Sequence, residues 1–249
     1  MEFTNINEYV CQRCGKQISE DNAKAYSDNN SGMILCSSCY DKFVAESNVL
    51  KNRFTGLKDF EMAAYYMIRG LETMGMNIDV ANFGGTPKRV GRAYYEIFSG
   101  CENTEKQVNE ILHTAFPCEG DPGMIITAPI TAFSMCPHHL LPVEYTISVG
   151  YIPGGGKGVL GLSKLARLVE VLAKRPVLQE QLGKDIVEAL ATLNVDGAGC
   201  RIVGKHMCMR MRGVKKPEAS TITSYMIGSF KEDSRTRSEF FDLVSEYSK

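Results

Sequence analysis

Two short runs hold the residues best suited to chemistry. Residues 135–142 read Met-Cys-Pro-His-His-Leu-Leu-Pro, and residues 205–213 read Lys-His-Met-Cys-Met-Arg-Met-Arg-Gly. Cys136 and His139 are three apart, a spacing at which one turn presents a thiolate and an imidazole to the same metal ion. His138 lies between them and can reach the same pocket without ligating. In the second run, a strand with its period of two puts His206, Cys208, Arg210 and Arg212 on one face and Met207, Met209 and Met211 on the other. Cys208 added to Cys136 and His139 gives three protein ligands and an open fourth position for water, the arrangement of a catalytic zinc. Each run alone also fits a plain structural reading, as histidines satisfied on a loop or a strand with a solvated basic face. The second of these explains the arginines but not His206 and Cys208 in register with them.

A separate metal pattern opens the chain. Cys11 and Cys14 form one Cys-x2-Cys pair, Cys36 and Cys39 another, with 21 residues between the pairs. Two such turns aim four thiolates at one tetrahedral ion, iron or, as expected of a structural knuckle or ribbon, zinc. So short a segment buries too little apolar surface to fold without that ion. It holds six acids and four bases over residues 1–45, a poor balance for gripping nucleic acid.

A third group suits an anion. Ser163 and Lys164 stand at the start of a helical pattern with Arg167 one turn on, so free backbone N–H groups and cationic side chains converge. With Arg212 and Arg89 the set suits a polyphosphate, although lysines and arginines on helices are as a rule a solvated face. Gln179-Glu180 is read in the same two ways. A carboxylate there can accept two N–H donors from a guanine edge, while most Gln-Glu pairs on helices are surface.

The elements that must position these groups follow from periodicity and punctuation. Residues 46–54 read as a linker. Helical patterns cover about 57–76 and 86–98, the second opened by Thr86-Pro87 as cap and first turn. Strands are expected at about 124–135, 143–152, 199–213 and 221–230, the second alternating with Val143, Tyr145, Ile147, Val149 and Tyr151 on one face and Glu144, Thr146, Ser148 and Gly150 on the other. Helices are expected at 163–174, 176–193 and 234–247, with Pro176 opening the middle one. Strand, strand, helix, helix, strand, strand, helix implies an α+β fold, an antiparallel sheet with two helices on one face. The organisation is then a zinc module over 1–45 and a catalytic domain over 55–249, helical over 55–120 and sheet-based over 121–249.

Composition bounds the function. The 249 residues carry 28 Lys and Arg against 29 Asp and Glu, a net charge of −1 that gives no reason to expect a nucleic-acid or membrane-surface binder. No secretion signal or membrane-length apolar run is seen, which points to the cytoplasm. Nine cysteines, an odd number, make a poor disulfide framework in a reducing compartment. Cys101, Cys118 and Cys200 are left as ordinary thiols.

The residues now carry a resemblance. Cys-Pro-His-His, Gly-Tyr-Ile-Pro, Gly-Leu-Ser-Lys-Leu-Ala-Arg, Arg-Pro-x-x-Gln-Glu-x-Leu, His-Met-Cys-Met-x-x-Arg-Gly and Thr-Ser-x-x-x-Gly-x-Phe follow one another over about residues 60–246. In that order they resemble GTP cyclohydrolase I. The resemblance implies the tunnelling fold, ring-shaped homo-oligomers with active sites between subunits, and conversion of GTP to 7,8-dihydroneopterin triphosphate and formate for folate, biopterin or deazapurine synthesis. It implies that Cys136, His139 and Cys208 hold a zinc whose bound water attacks C8 of the purine. It further implies proton transfer by His138 and His206, guanine recognition by Gln179 and Glu180, and a triphosphate cradle of Ser163, Lys164, Arg167, Arg212 and Arg89. The four-cysteine segment lies outside it, so two zinc ions per chain are expected. Pro137 stands where the family usually has Glu, and Ala128-Pro129-Ile130 where an Arg-Asp-Ile-like run is common. Those departures keep two other readings open: a variant that stops at ring opening or takes another purine nucleotide, and a non-catalytic nucleotide-binding regulator.

Overall fold

The computed structural model describes residues 9–19, 22–27, 32–118, 120–155 and 158–245. The chain divides into two compact units, Met1–Tyr95 and Glu96–Lys249. The predicted helical stretch 55–120 is thereby shared between them.

In the first unit, β1 (Tyr9–Val10) pairs with β2 (Gln17–Ile18) and β3 (Ala23–Ser27) pairs with β4 (Gly32–Cys36), both antiparallel. Helix α1 (Ser37–Thr73) starts directly after β4. Residues 46–54 are therefore helix and not the expected linker. Residues 37–73 contain no proline, and glycine occurs there only at 56 and 70, so nothing breaks the helix. It stops at Gly75, whose φ of +96° suits a residue without Cβ; the N–H groups of Gly75 and Met76 cap the carbonyls of Glu72 and Leu71. Two further helices, α2 (Val80–Phe83) and α3 (Thr86–Ile97), complete this part of the chain.

In the second unit, a 3-10 turn (Ser99–Cys101) leads to α4 (Thr104–Leu112), and β5 (Ala115–Phe116) pairs with β8 (Val159–Leu160). The main sheet is antiparallel, built from β6 (Ile125–Met135), β7 (Pro142–Pro153), β9 (Val195–His206) and β10 (Thr221–Gly228) in the order β10-β9-β7-β6. Helices α5 (Leu162–Ala173) and α6 (Gln179–Ala191) follow β8. The short α7 (Met207–Arg210) follows β9, and α8 (Ser229–Glu232) and α9 (Ser234–Ser245) follow β10. The last two residues of the helix expected to 247 lie outside the described residues.

The alternation read in β7 builds the core. Val143, Tyr145, Ile147, Val149 and Tyr151 are all buried against Leu165, Leu168, Val169 and Leu172 of α5 and Leu182, Ile186 and Leu190 of α6. Each large side chain so buried contributes about 1.5–3 kcal/mol. The opposite face is covered at one end: Phe230, Phe240 and Val244 pack with Ile126, Ile152 and Met226. Pro129 lies at the β-bulge of edge strand β6, where a missing N–H costs no ladder bond.

Two sequence expectations are corrected. Pro176 does not open α6: it forms a parallel bridge with Met135, and the helix begins three residues later. That shift places Gln179 and Glu180 in the first helical turn. The strand expected over 199–213 ends at His206, and α7 takes over at Met207. Met209 and Met211 are consequently 37% and 65% exposed rather than a core stripe. The period-of-two reading failed because the backbone must turn there to bring the Cys208 thiol toward Cys136.

Candidate metal centres and active site

The catalytic candidates gather at one end of the main sheet. Strands β6 and β7 form a hairpin whose ends pair Met135 with Pro142, and β9 finishes alongside, with His206 opposite Val143. The hairpin loop is tied by the N–H groups of His139 and Leu140 to the Cys136 carbonyl, and of Cys136 to the Leu141 carbonyl. Leu140 takes a left-handed conformation with φ of +49° to close it. So fixed, the loop brings Cys136 Sγ within 3.7 Å of His139 Nδ1 and 4.0 Å of His138 Nδ1. From β9 and α7, Cys208 Sγ reaches 3.9 Å from Cys136 Sγ.

These distances test the fit to a metal. Two thiolates bound tetrahedrally to one zinc at about 2.3 Å stand about 3.8 Å apart, and the Cys136–Cys208 spacing matches. The ligand atoms of Cys136, His139 and Cys208 all lie within 4.8 Å of one another. Burial and the neighbouring Cys136 sulfur push the Cys208 thiol up from its ordinary pKa. A bound cation reverses that cost, since coordination holds thiols deprotonated. The donor set fits zinc.

The first unit holds the second cluster. The Sγ atoms of Cys11, Cys14, Cys36 and Cys39 lie within 4.8 Å of one another, with Cys11 buried. Backbone hydrogen bonds, foremost from Cys36 and then from Cys14 and Arg13, lower the Cys11 thiol to about 6. The Cys36 thiol beside Cys39 pushes that group up to about 12. Several thiols crowded this closely cannot all ionise without a cation among them. This set also fits zinc, with no position left open.

Around the first centre, His206 Nε2 lies 2.9 Å from Gln179 Oε1, and the Tyr145 ring meets the imidazole edge-on at 6.0 Å between centroids. Burial lowers the His206 pKa, and the Glu180 carboxylate opposes that shift. Glu180 is exposed in the first turn of α6, where a negative charge suits the helix N-terminus. Gln179 is 2% exposed. Arg212, exposed just beyond α7, lies close enough to lower the Cys208 pKa in part.

The remaining phosphate candidates belong to other elements. Ser163 and Lys164 occupy the first turn of α5, and Arg167 lines a cavity with Ser99, Gln107, Glu170 and Lys174. Arg89 belongs to the first unit, where its guanidinium donates to the Asn82 carbonyl at 3.0 Å and the Thr86 hydroxyl at 2.8 Å. Cys200 is fully buried on β9, and that burial pushes its thiol pKa up, as expected of an inert core cysteine.

Sequence reasoning missed Tyr145. It was read as one more apolar residue on β7, and its hydroxyl is sealed in the core with no hydrogen-bond partner among the described residues. Burial pushes its pKa up, so it stays protonated. An unpartnered buried hydroxyl costs about 1–3 kcal/mol, which Phe does not incur. Tyr145→Phe is therefore expected to melt higher, by about 2–4 °C for each kcal/mol gained, read by calorimetry on the zinc-loaded protein. A lower melting temperature would overturn this expectation.

A family model described as GTP cyclohydrolase I matches residues 63–245. GTP cyclohydrolase 1 of Streptococcus gordonii is 41% identical over 189 residues, 76% of this chain and 98% of that protein. The proteins of the same name from Halalkalibacterium halodurans and Pelotomaculum thermopropionicum are 42% and 45% identical, over 75% and 70% of this chain and 97% and 90% of their own lengths. The match spans the hairpin loop, both central helices and the turn carrying Cys208, and omits the four-cysteine segment. The chain belongs to the GTP cyclohydrolase I family.

Proposed function

We propose that this protein is a zinc-dependent GTP cyclohydrolase I, opening the imidazole ring of GTP and rearranging it to 7,8-dihydroneopterin triphosphate with release of formate. The observation that carries the proposal is the convergence of Cys136, His139 and Cys208 in a relative of GTP cyclohydrolases. These three residues would hold the catalytic ion. When bound, zinc lowers the pKa of water at its open position toward about 7 and so supplies a hydrolytic nucleophile at neutral pH. His138, beside Cys136 in the hairpin loop, and His206, at the end of β9, would move protons to and from the opening ring. Glu180, at the α6 N-terminus, accepts the N–H donors of the guanine edge. Ser163, Lys164, Arg167 and Arg212, with Arg89, bind the triphosphate.

The same reading takes the second unit as the tunnelling fold and its assembly as a homo-oligomeric ring with active sites between subunits. Its support is the sheet itself: β6 and β10 are edge strands of eleven and eight residues. Edges of that length are ordinarily covered, and another copy of the chain can do so. No helix among the described residues is long and apolar enough to cross a membrane. Cytoplasmic residence and independence from nucleic acid belong to the same proposal.

Pure protein incubated with GTP tests the reaction. Formate and a pterin that fluoresces after oxidation are expected; nucleotide bound without turnover would favour the regulatory reading. Pro137 favours a check across a purine nucleotide panel, because proline supplies no carboxylate beside the ligands. A product retaining the ring-opened purine would identify a truncated reaction. The four-cysteine cluster is proposed as a second, structural zinc site, so metal analysis should find two zinc ions per chain. Cys11→Ser is expected to lose one of them and expose the first 45 residues to protease, while GTP turnover stays within about twofold, since that site has no open position. Full zinc content in that variant would refute the assignment.

A further inference from the structure

We infer that Gln179 is a positioning residue for His206, fixing which imidazole nitrogen carries the proton, and does not form part of the guanine-binding surface. The inference rests on reading His206 as a proton carrier in the proposed reaction. Its basis is the bonding of one carboxamide. Gln179 Nε2 lies 2.9 Å from the Thr221 carbonyl oxygen, 3.3 Å from that of Ile202 and 3.1 Å from Thr223 Oγ1. Carbonyl oxygens only accept, so the atom facing them is the amide nitrogen, and the orientation of the group is settled by its surroundings. The oxygen then faces His206 Nε2 at 2.9 Å. An amide oxygen also only accepts. His206 must therefore carry its proton on Nε2, and in the neutral ring Nδ1 is left as the bare nitrogen.

The surroundings are built for this arrangement. Gln179 is 2% exposed and its polar atoms are all engaged, which leaves it no free edge for a base. The carboxamide reaches His206 across residue 204 of β9, where a Cβ would collide with Gln179 Oε1 and crowd the Tyr145 ring. Glycine there is what lets the contact form. Tyr145 supplies the second restraint, edge-on to the imidazole at 78°. Gln179 thus joins α6 to β9 and β10 and sets the orientation of a group it does not itself replace. The neighbouring Glu180, exposed one residue on, keeps the recognition role alone.

Three measurements on the zinc-loaded enzyme separate this role from substrate contact and from mere packing. Only four histidines are present, so nitrogen-15 histidine labelling with solid-state NMR resolves them, assigned by single His variants. The wild type should show His206 protonated on Nε2 with Nδ1 bare. Gln179→Met, similar in length and unable to accept, should lower kcat by about 10²-fold, the cost of a misplaced reacting group. KM for GTP and the preference for GTP over ITP should hold. Gly204→Ala, which displaces the carboxamide without altering it, should repeat the kcat loss with zinc retained. A bare Nε2 in the wild type overturns the inference, as does a Gln179→Met enzyme with intact kcat and a changed KM or GTP/ITP preference. Should neither variant fold, the wild-type spectrum decides. Absence of GTP turnover in the wild type would instead defeat the proposed function, and the spectrum would still report whether Gln179 sets the tautomer.

Discussion

Cys208→Ser is expected to lose one zinc per chain and to reduce GTP turnover by about 10³-fold or more, since loss of an outer partner of a ligand already costs about 10–100-fold. Serine is isosteric, but its hydroxyl does not ionise near neutral pH and binds zinc weakly where a thiolate binds it strongly. The fold should survive. Cys208 is half-buried on a four-residue helix at the sheet's end, and the packed core lies in β7, α5 and α6. Far-UV circular dichroism should be unchanged and melting should drop only by the stabilisation that the lost ion supplied. The four-cysteine cluster keeps its own ligands, so total zinc should fall from two ions per chain to one and not to zero. Full zinc and an undiminished rate in Cys208→Ser would remove the basis for the catalytic-centre assignment. The paired variant Cys11→Ser should lose the other ion with the reverse outcome for activity, and the two together apportion the metal.

How much of this was legible in the sequence depends on the range over which each signal acts. The hairpin ligands were readable because Cys136 and His139 are joined by one tight turn, so local spacing alone brings them together. The alternation of β7 was readable because its odd-numbered side chains are buried along the whole strand. Cys208 was grouped with Cys136 and His139, which its thiol does approach, but on the wrong element. Alternating Met and polar residues mimic a strand, and only tertiary pairing, which ends at His206, reveals the turn. The 46–54 segment misled in the opposite direction: it read as a linker, whereas helix continuity depends on the absence of breakers. The bonding of Gln179 could not be read from sequence. Its partners come from Ile202, Thr221, Thr223 and His206, 23 to 44 positions away. Arg89 illustrates the same limit, since spacing cannot foresee that its guanidinium engages Asn82 and Thr86.

That division between neighbours in α6 leads to the second large expected effect. If Gln179 is committed to His206, guanine recognition falls on the Glu180 carboxylate, and Glu180→Ala should lower kcat/KM for GTP by about 10²–10³-fold. The magnitude follows from two hydrogen bonds to a charged acceptor, each contributing about 1.5–3 kcal/mol less the water that replaces it. The loss should be selective. GTP presents an exocyclic amine that ITP lacks, so the wild type should prefer GTP while Glu180→Ala treats the two nearly alike. Stability should change little: Glu180 is exposed, and an acid in a first helical turn contributes only about 0.3–1 kcal/mol. The His206 environment provides an internal control. Glu180 opposes the burial-driven lowering of the His206 pKa, so its removal should let that pKa fall further. His206 would then remain neutral to lower pH, and the acidic limb of the Glu180→Ala pH–rate profile should move down, never up. A Glu180→Ala enzyme that kept its preference for GTP over ITP would place base recognition elsewhere, and with Gln179 Oε1 engaged by His206 the backbone of the pocket would be the next candidate.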